Sequence, residues 1–170
     1  MKRIKGLSWL LVGLLALLAI SPLTPAAATE KVYHVPIEKE VEKGLLAFLE
    51  RAFSEAKENE AEAIILEIHT PGGFVDAADD IGKLIDESGI RVIAFINSKA
   101  HSAGAFIALH ADEIYITKGA TMGAAAVIDS AGNAADEKAN SAWLAQMEAA
   151  AEKSGLDPKY ALAMANKSTD

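Results

Sequence analysis

Short runs of apolar residues alternate along this chain with longer stretches in which apolar residues recur every three or four positions. Residues 63–68 and 91–97 are almost continuously aliphatic, whereas residues 31–37 alternate between apolar and polar side chains. The first pattern is typical of buried strands, and the second of a strand with one solvated face. A further short strand is predicted at residues 113–117.

Between these strands, helical spacing of the apolar residues predicts amphipathic helices. Strands that alternate with helices indicate an α/β fold with a largely parallel sheet. The last helix is the best defined, since Asp157 suits the N-cap and Pro158 the first helical position. The predicted helices cover residues 38–58, 75–88, 102–111, 135–154 and 158–165.

The N-terminus carries a different pattern. A positive segment with Lys2, Arg3 and Lys5 precedes an almost uninterrupted apolar run at residues 7–20, and small residues follow at 26–28. This order is typical of a secretory signal, although an uncleaved anchor has the same beginning. We therefore expect a signal peptide or membrane anchor over residues 1–28, with the remainder of the chain on the extracytoplasmic side.

Length and composition limit the possible functions. The 170 residues suffice for one domain, which we expect over residues 29–170 and which stops directly after a helix, as a C-terminally truncated domain would. The net charge is −8 and no basic stripe follows the N-terminus, so nucleic acid is not an expected partner. The absence of cysteine excludes disulfides and a thiol nucleophile.

Two strand-to-helix junctions could support chemistry, because ligands of parallel sheets gather at the carboxyl ends of strands. The first junction contains Gly72 and Gly73. Adjacent glycines at the start of a helix leave backbone N–H groups open to a developing oxyanion. The same dipeptide also suits a simple tight turn.

The second junction places Ser102 between a predicted strand and a predicted helix, among small neighbours. A catalytic nucleophile needs this exposure, but an ordinary N-cap serine occupies the same position. A serine hydroxyl also needs an adjacent base. His101 is expected to point away from its neighbour, and His110 lies roughly 12 Å further along the predicted helix.

A neutral lysine is the alternative base for a serine nucleophile. Lys138 is the favoured candidate, because it heads an alanine-rich helix whose small residues would keep water from its amine. It follows a glycine-bearing loop, predicted at residues 118–123, that would return the chain toward the second junction. The competing interpretation is an exposed helical lysine paired with a neighbouring acid.

Several short motifs, taken in order, are more specific than any one of them. TPGG stands at 70–73, SAGAFIAL at 102–109, ADEIYI at 111–116 and GATMGAA at 119–125, and a lysine-bearing helix follows. This succession resembles the NfeD family of membrane-bound serine proteases, which belong to the ClpP class and are related to signal peptide peptidase A. The resemblance implies a ClpP/crotonase-like fold, with a largely parallel sheet flanked by helices.

The resemblance also implies roles for particular residues. Ser102 would be the nucleophile and Lys138 its base, in a serine–lysine dyad that requires no metal or organic cofactor. The oxyanion donors would be Gly72 or Gly73 from one side and Ala103 from the other. The implied substrates are hydrophobic peptide segments of membrane-associated proteins, the implied partners are stomatin- or flotillin-like proteins, and by analogy of fold a homo-oligomer is expected.

Two positions depart from the family pattern, and two other functions stay open. His69 replaces a small polar or acidic residue, and Lys118 replaces a proline. Full members also continue into membrane helices and a small β-barrel domain. The alternatives are a non-catalytic scaffold for stomatin-like proteins and a crotonase-type acyl-CoA enzyme, which shares the fold and the glycine oxyanion hole.

Overall fold

A computed structural model describes residues 30–128 and 131–166 of the chain. The apolar runs form a parallel sheet in which the strands follow one another in the order β1-β2-β3-β4, and β5 continues along β3 beyond the end of β4. The strands are β1 (Val32–Val41), β2 (Ala63–Gly73), β3 (Arg91–His101), β4 (Glu113–Ile116) and β5 (Thr121–Gly123).

Helices connect the strands, and two more close the described chain. The last of them begins as predicted, since the Asp157 side chain accepts a hydrogen bond from the N–H of Lys159 and Pro158 stands in the first turn. The helices are α1 (Lys43–Glu58), α2 (Val75–Glu87), α3 (Ala103–Leu109), α4 (Glu137–Lys153) and α5 (Pro158–Ala165).

One face of the sheet carries the core. Alternate residues of β2, including Ile64, Leu66 and Ile68, are fully buried. On the other face of the strand, Glu67 is half-buried and His69 is exposed. The side chains of α3 fill the centre of this core, and all seven of its residues are buried. The helix that follows Ser102 is therefore fixed on every side by packing.

The structure corrects four of the predicted boundaries. β3 continues to His101 rather than end at Asn97. Residues 38–41 continue β1 rather than begin a helix, and β2 extends through the glycine pair to Gly73 rather than break at His69. The loop predicted at residues 118–123 contains the short strand β5. Each change lengthens the sheet at its carboxyl edge, where the candidate site lies.

The predicted signal peptide or anchor at residues 1–28 lies outside the described residues. Among the residues that are described, no helix combines the length and apolar character needed to cross a bilayer.

A single carboxylate joins three helices at the end of the domain opposite to the carboxyl edge of the sheet. Asp86, near the end of α2, accepts a hydrogen bond at 2.9 Å from Nδ1 of His110, which caps α3, and is also paired with Lys153 in the last turn of α4. Partial burial acts to raise the pKa of Asp86, but the hydrogen bonds from Lys153 and His110 outweigh it and lower the pKa below its ordinary value. The charged form of Asp86 therefore stabilises the contact between α2, α3 and α4.

Replacing Asp86 by asparagine should lower the free energy of unfolding by about 1–2 kcal/mol near neutral pH. Because the pKa of Asp86 is lower in the folded protein than in the unfolded one, its contribution is complete above about pH 4 and is lost as the pH falls further. Urea unfolding of both proteins over this pH range should show the difference shrink in acid. Asp80→Asn, on the exposed side of the same helix, is the control and should cost less than about 0.5 kcal/mol.

Candidate active site

Ser102 occupies a sharp turn between β3 and α3. Its backbone angles are φ 52° and ψ −122°, outside the regions that residues with a side chain ordinarily adopt. Such a conformation costs on the order of 1–3 kcal/mol and persists only where the surroundings enforce it. Its side chain makes no capping hydrogen bond to α3, so the simple N-cap interpretation is wrong.

Three elements enforce this conformation. The Ser102 N–H donates to the carbonyl of Gly123 in β5 at 2.8 Å, and its own carbonyl accepts from Ala105 at 2.9 Å and Phe106 at 3.3 Å. Gly104, the second residue of α3, packs so closely against the Thr70 side chain that no Cβ atom would fit between them. The serine is thus held by its own helix and by two neighbouring strands.

Gly72 supplies the close approach on the other side of Ser102. It adopts φ +110°, which favours glycine, and a Cβ atom added to it would lie 2.5 Å from Cβ and 3.1 Å from Oγ of Ser102. The glycine pair is therefore more than a turn, because it brings the end of β2 into direct contact with the serine side chain.

The two glycines differ in their surroundings. The N–H of Gly72 donates to Oγ1 of the buried Thr70 at 3.1 Å. The N–H of Phe74 donates to the carbonyl of Val41 in β1 at 2.8 Å. A Cβ atom added to Gly73 would lie 2.1 Å from the carbonyl oxygen of Val41, so the backbone of β1 fills the side-chain position of this glycine.

A small cleft of about 50 Å³ opens beside Ser102. It brings together Gly73, Ser102 and Ala103, three of the residues singled out in the sequence. The N–H of Ala103 is among the first of α3, for which no carbonyl of the same helix is available. The cleft is completed by Val75, Ala125, Ala126, Val127, Ile128 and Trp143.

Trp143 forms the buried wall of this cleft, a role that the sequence analysis missed. Its indole N–H donates to the carbonyl of Ala125 at 2.7 Å, and its ring lies 4.7 Å from that of Phe106. A lone tryptophan in an alanine-rich helix, eight residues before the buried Ala151, was a signal of burial but not of a place beside the nucleophile.

Lys138 lies on the first turn of α4 and does not line the cleft. Its side chain is exposed, so the apolar surroundings expected from the sequence are absent in this conformation. Trp143 follows five residues later on the same helix, about 7.5 Å along the axis and roughly 140° around it. None of the described carboxylates forms an ion pair with Lys138, so the paired surface lysine of the competing interpretation is absent as well.

None of the described histidines lines the cleft beside Ser102. His101 contacts Oγ1 of Thr121 at 2.8 Å, and His34 pairs with Glu67 at 2.5 Å, a carboxylate partner that the sequence did not reveal. His110 has a partner in Asp86, but its Nε2 is buried against Gly82 without a hydrogen bond. A histidine base for Ser102 is therefore not available in this arrangement.

Comparison with known sequences connects this arrangement to characterised relatives. The family described as NfeD1b, N-terminal domain, matches residues 31–170. The chain is 53% identical over 172 residues to "Membrane protein NfeD1b" of Bacillus subtilis strain 168, and 35% identical over 104 residues to "Membrane-bound protease PH1510" of Pyrococcus horikoshii. These matches cover 100% and 59% of the chain, but only 39% and 24% of the relatives.

Solved structures share the fold. A lysine-to-alanine variant of the 1510-N membrane-bound stomatin-specific protease, in complex with a substrate peptide, matches with a TM-score of 0.77 and 29% identity over 82% of this chain and 67% of its own. A serine-to-alanine variant of 1510-N matches with a TM-score of 0.76 and 28% identity over 82% and 71%. ClpP1 of Listeria monocytogenes, at a TM-score of 0.57 and 17% identity over 79% of each chain, supports the ClpP-like fold alone.

Substituting Gly72 by alanine should destabilise the domain by roughly 2–5 kcal/mol, because both the positive φ and the contact with Ser102 penalise a side chain. Gly89→Ala is the matched control, since that glycine also has positive φ, +68°, but a Cβ atom there meets nothing within 4 Å. The control should lose only about 1 kcal/mol. Denaturant unfolding measures both, and equal losses would contradict the close approach.

Proposed function

This chain belongs to the NfeD1b N-terminal-domain family, and from that premise we propose that it is a serine protease domain with Ser102 as nucleophile. The observation that carries the proposal is the strained turn that presents Ser102 between Gly73 and Ala103 at the cleft. A sharp strand-to-helix turn is a recurring way to expose a nucleophilic serine. Gly73 and Ala103 are the preferred oxyanion donors, because the N–H of Gly72 is already bonded to Thr70.

The proposed reaction is hydrolysis of a peptide bond through an acyl-enzyme. Oγ of Ser102 bonds to the carbonyl carbon while its proton passes to neutral Nζ of Lys138, and the oxyanion accepts hydrogen bonds from the N–H groups of Gly73 and Ala103. The C–N bond then breaks as the leaving nitrogen takes the proton from Lys138. Water attacks the acyl-enzyme, releases the new carboxylic acid and restores the Ser102 hydroxyl.

Lys138 is proposed as the base on two grounds. None of the side chains that line the cleft can accept a proton from Ser102, so the base has to enter from outside it. Lys138 stands on α4, the helix that contributes Trp143 to the cleft wall. Because the Lys138 side chain is exposed here and does not line the cleft, pairing with Ser102 requires that side chain to turn toward the cleft when substrate binds.

The proposed substrates are apolar segments of membrane-associated proteins. Phe74, between Gly73 and Val75 in the chain, is 58% exposed, and Ile128, which lines the cleft, is 62% exposed, so large apolar side chains are accessible next to the cleft. The relatives are named membrane proteins, and 1510-N is described as stomatin-specific. We extend to this chain a stomatin- or flotillin-like partner, homo-oligomeric assembly, and a domain over residues 29–170 on the extracytoplasmic side.

A non-catalytic scaffold for stomatin-like proteins is the second candidate. It is favoured by one observation, that Lys138 is exposed and does not line the cleft beside Ser102. An acyl-CoA enzyme of the crotonase type is less well supported, because no carboxylate lines the cleft.

Hydrolysis of fluorescence-quenched apolar peptides tests the proposal. Ser102→Ala and Lys138→Ala should each lower kcat by about 10⁴-fold or more, since nucleophile and base act as one unit. Lys118→Ala removes a lysine from the β4–β5 connection and should leave turnover unchanged. Activity that survives both site substitutions would exclude the dyad, and wild-type protein that binds a stomatin-like partner without cleaving any peptide would favour the scaffold.

A further inference from the structure

The cleft beside Ser102 is placed to receive one side chain of a bound peptide. It is bounded by Ser102 and by the two proposed oxyanion donors, Gly73 and Ala103. A carbonyl group held by these three residues has its α-carbon one bond away, so the side chain on that carbon is the nearest group that can enter the cleft. This reasoning rests on the proposed function.

The residues that form the walls of the cleft are fixed by contacts with one another and with the residues behind them. Trp143 is only 3% exposed and is fixed by its hydrogen bond to Ala125 and its contact with the Phe106 ring. The N–H of Ala125 donates to the carbonyl of Met164 in α5 at 2.8 Å. Because the indole and the opposite wall are bonded to each other, enlarging the cleft requires breaking a buried hydrogen bond.

The size of the cleft then limits what can enter. Its volume is about 50 Å³, about a third of that of a cavity that binds benzene, which measures about 150 Å³. A methyl or hydroxymethyl group fits, but a leucine or phenylalanine side chain would overpack the walls. None of the lining side chains carries a charge, so a charged side chain would lose its hydration without a partner.

We infer that this cleft selects a small, uncharged residue, such as alanine, glycine or serine, on the acyl side of the scissile bond. The bulky lining side chains are Val75, Val127, Ile128 and Trp143. Of these, Trp143 and Val75 stand on helices and are the specificity-determining residues. Larger apolar residues are accepted at the neighbouring positions, where Phe74 and Ile128 stand exposed at the rim. The preferred cleavage point is thus a small residue within an apolar segment.

Peptide binding to an inactive variant tests this inference independently of turnover. The sequence contains two tryptophans, so Trp9→Phe in the full chain leaves Trp143 as the sole tryptophan, directly at the cleft, where it can be excited selectively over the tyrosines. In the Ser102→Ala, Trp9→Phe protein, peptides of identical sequence that end in alanine, leucine or phenylalanine are titrated against Trp143 fluorescence. Their terminal carboxylate resembles the cleavage product and fixes the register beside Gly73 and Ala103.

We expect the alanine peptide to bind at least about tenfold more tightly than the leucine and phenylalanine peptides. Adding Val75→Ala to the same protein should improve leucine-peptide binding by about tenfold, because it removes two methyl groups from the wall. Val32→Ala is the matched control, on a valine 52% exposed at the start of β1 and outside the cleft, and should leave the preference unchanged.

Equal binding of the three peptides, or a preference for leucine or phenylalanine, would overturn the inference. So would the absence of any Trp143 response, because the cleft would then not be a side-chain site. In each of these cases, cleavage of apolar peptides by wild-type protein would leave the proposed function standing. If wild-type protein cleaves nothing while the alanine preference is observed, the inference holds as a binding specificity and the proposed chemistry fails.

Discussion

The contact between Ser102 and Gly72 is the constraint on which the site depends. The ends of β2 and β3 are brought side by side by the pairing of Thr70 with Ala100, and Gly72 then lies against the serine side chain. Any side chain at Gly72 would push Ser102 out of a conformation that is already strained. The small residues of this region therefore follow from how closely the two strand ends approach.

The nucleophile and the base of the proposed dyad differ in how strongly the rest of the structure fixes them. Ser102 is bonded to β5 and followed by the buried helix α3, and the far ends of α2, α3 and α4 meet at Asp86. Lys138, at the opposite end of α4, extends into solvent. A rigid nucleophile and a base that arrives with substrate would keep the hydroxyl inactive until a peptide is bound.

Much of the fold was predictable because apolar periodicity and cap residues are local signals. The strands at 63–68 and 91–97 and the helix at Pro158–Ala165 were found for this reason. The continuation of β2 through two glycines and the three-residue β5 were missed, since both are stabilised by pairing with strands distant in sequence. Glycine propensity was overridden there by tertiary hydrogen bonds.

The site was predictable in part. Ser102 was identified from its position between a strand and a helix, but its strained backbone depends on Gly72 and Gly123, which no local pattern connects to it. The pairs His34–Glu67 and His110–Asp86, like the wall formed by Trp143, arise from packing between elements far apart in the chain. The exposure of Lys138 could not be predicted from the alanine-rich sequence around it, because helix composition does not determine which face packs inward.

Reaction of the intact protein with a fluorophosphonate that carries an apolar peptide segment, so that the reagent itself occupies the substrate site, followed by mass spectrometry of the protein's peptides, measures the central claim most directly. An activated Ser102 predicts a single phosphonylated site at that residue, with no label on the other serines. Failure of Ser102 to react, under conditions that fully label a known serine hydrolase, would contradict the account.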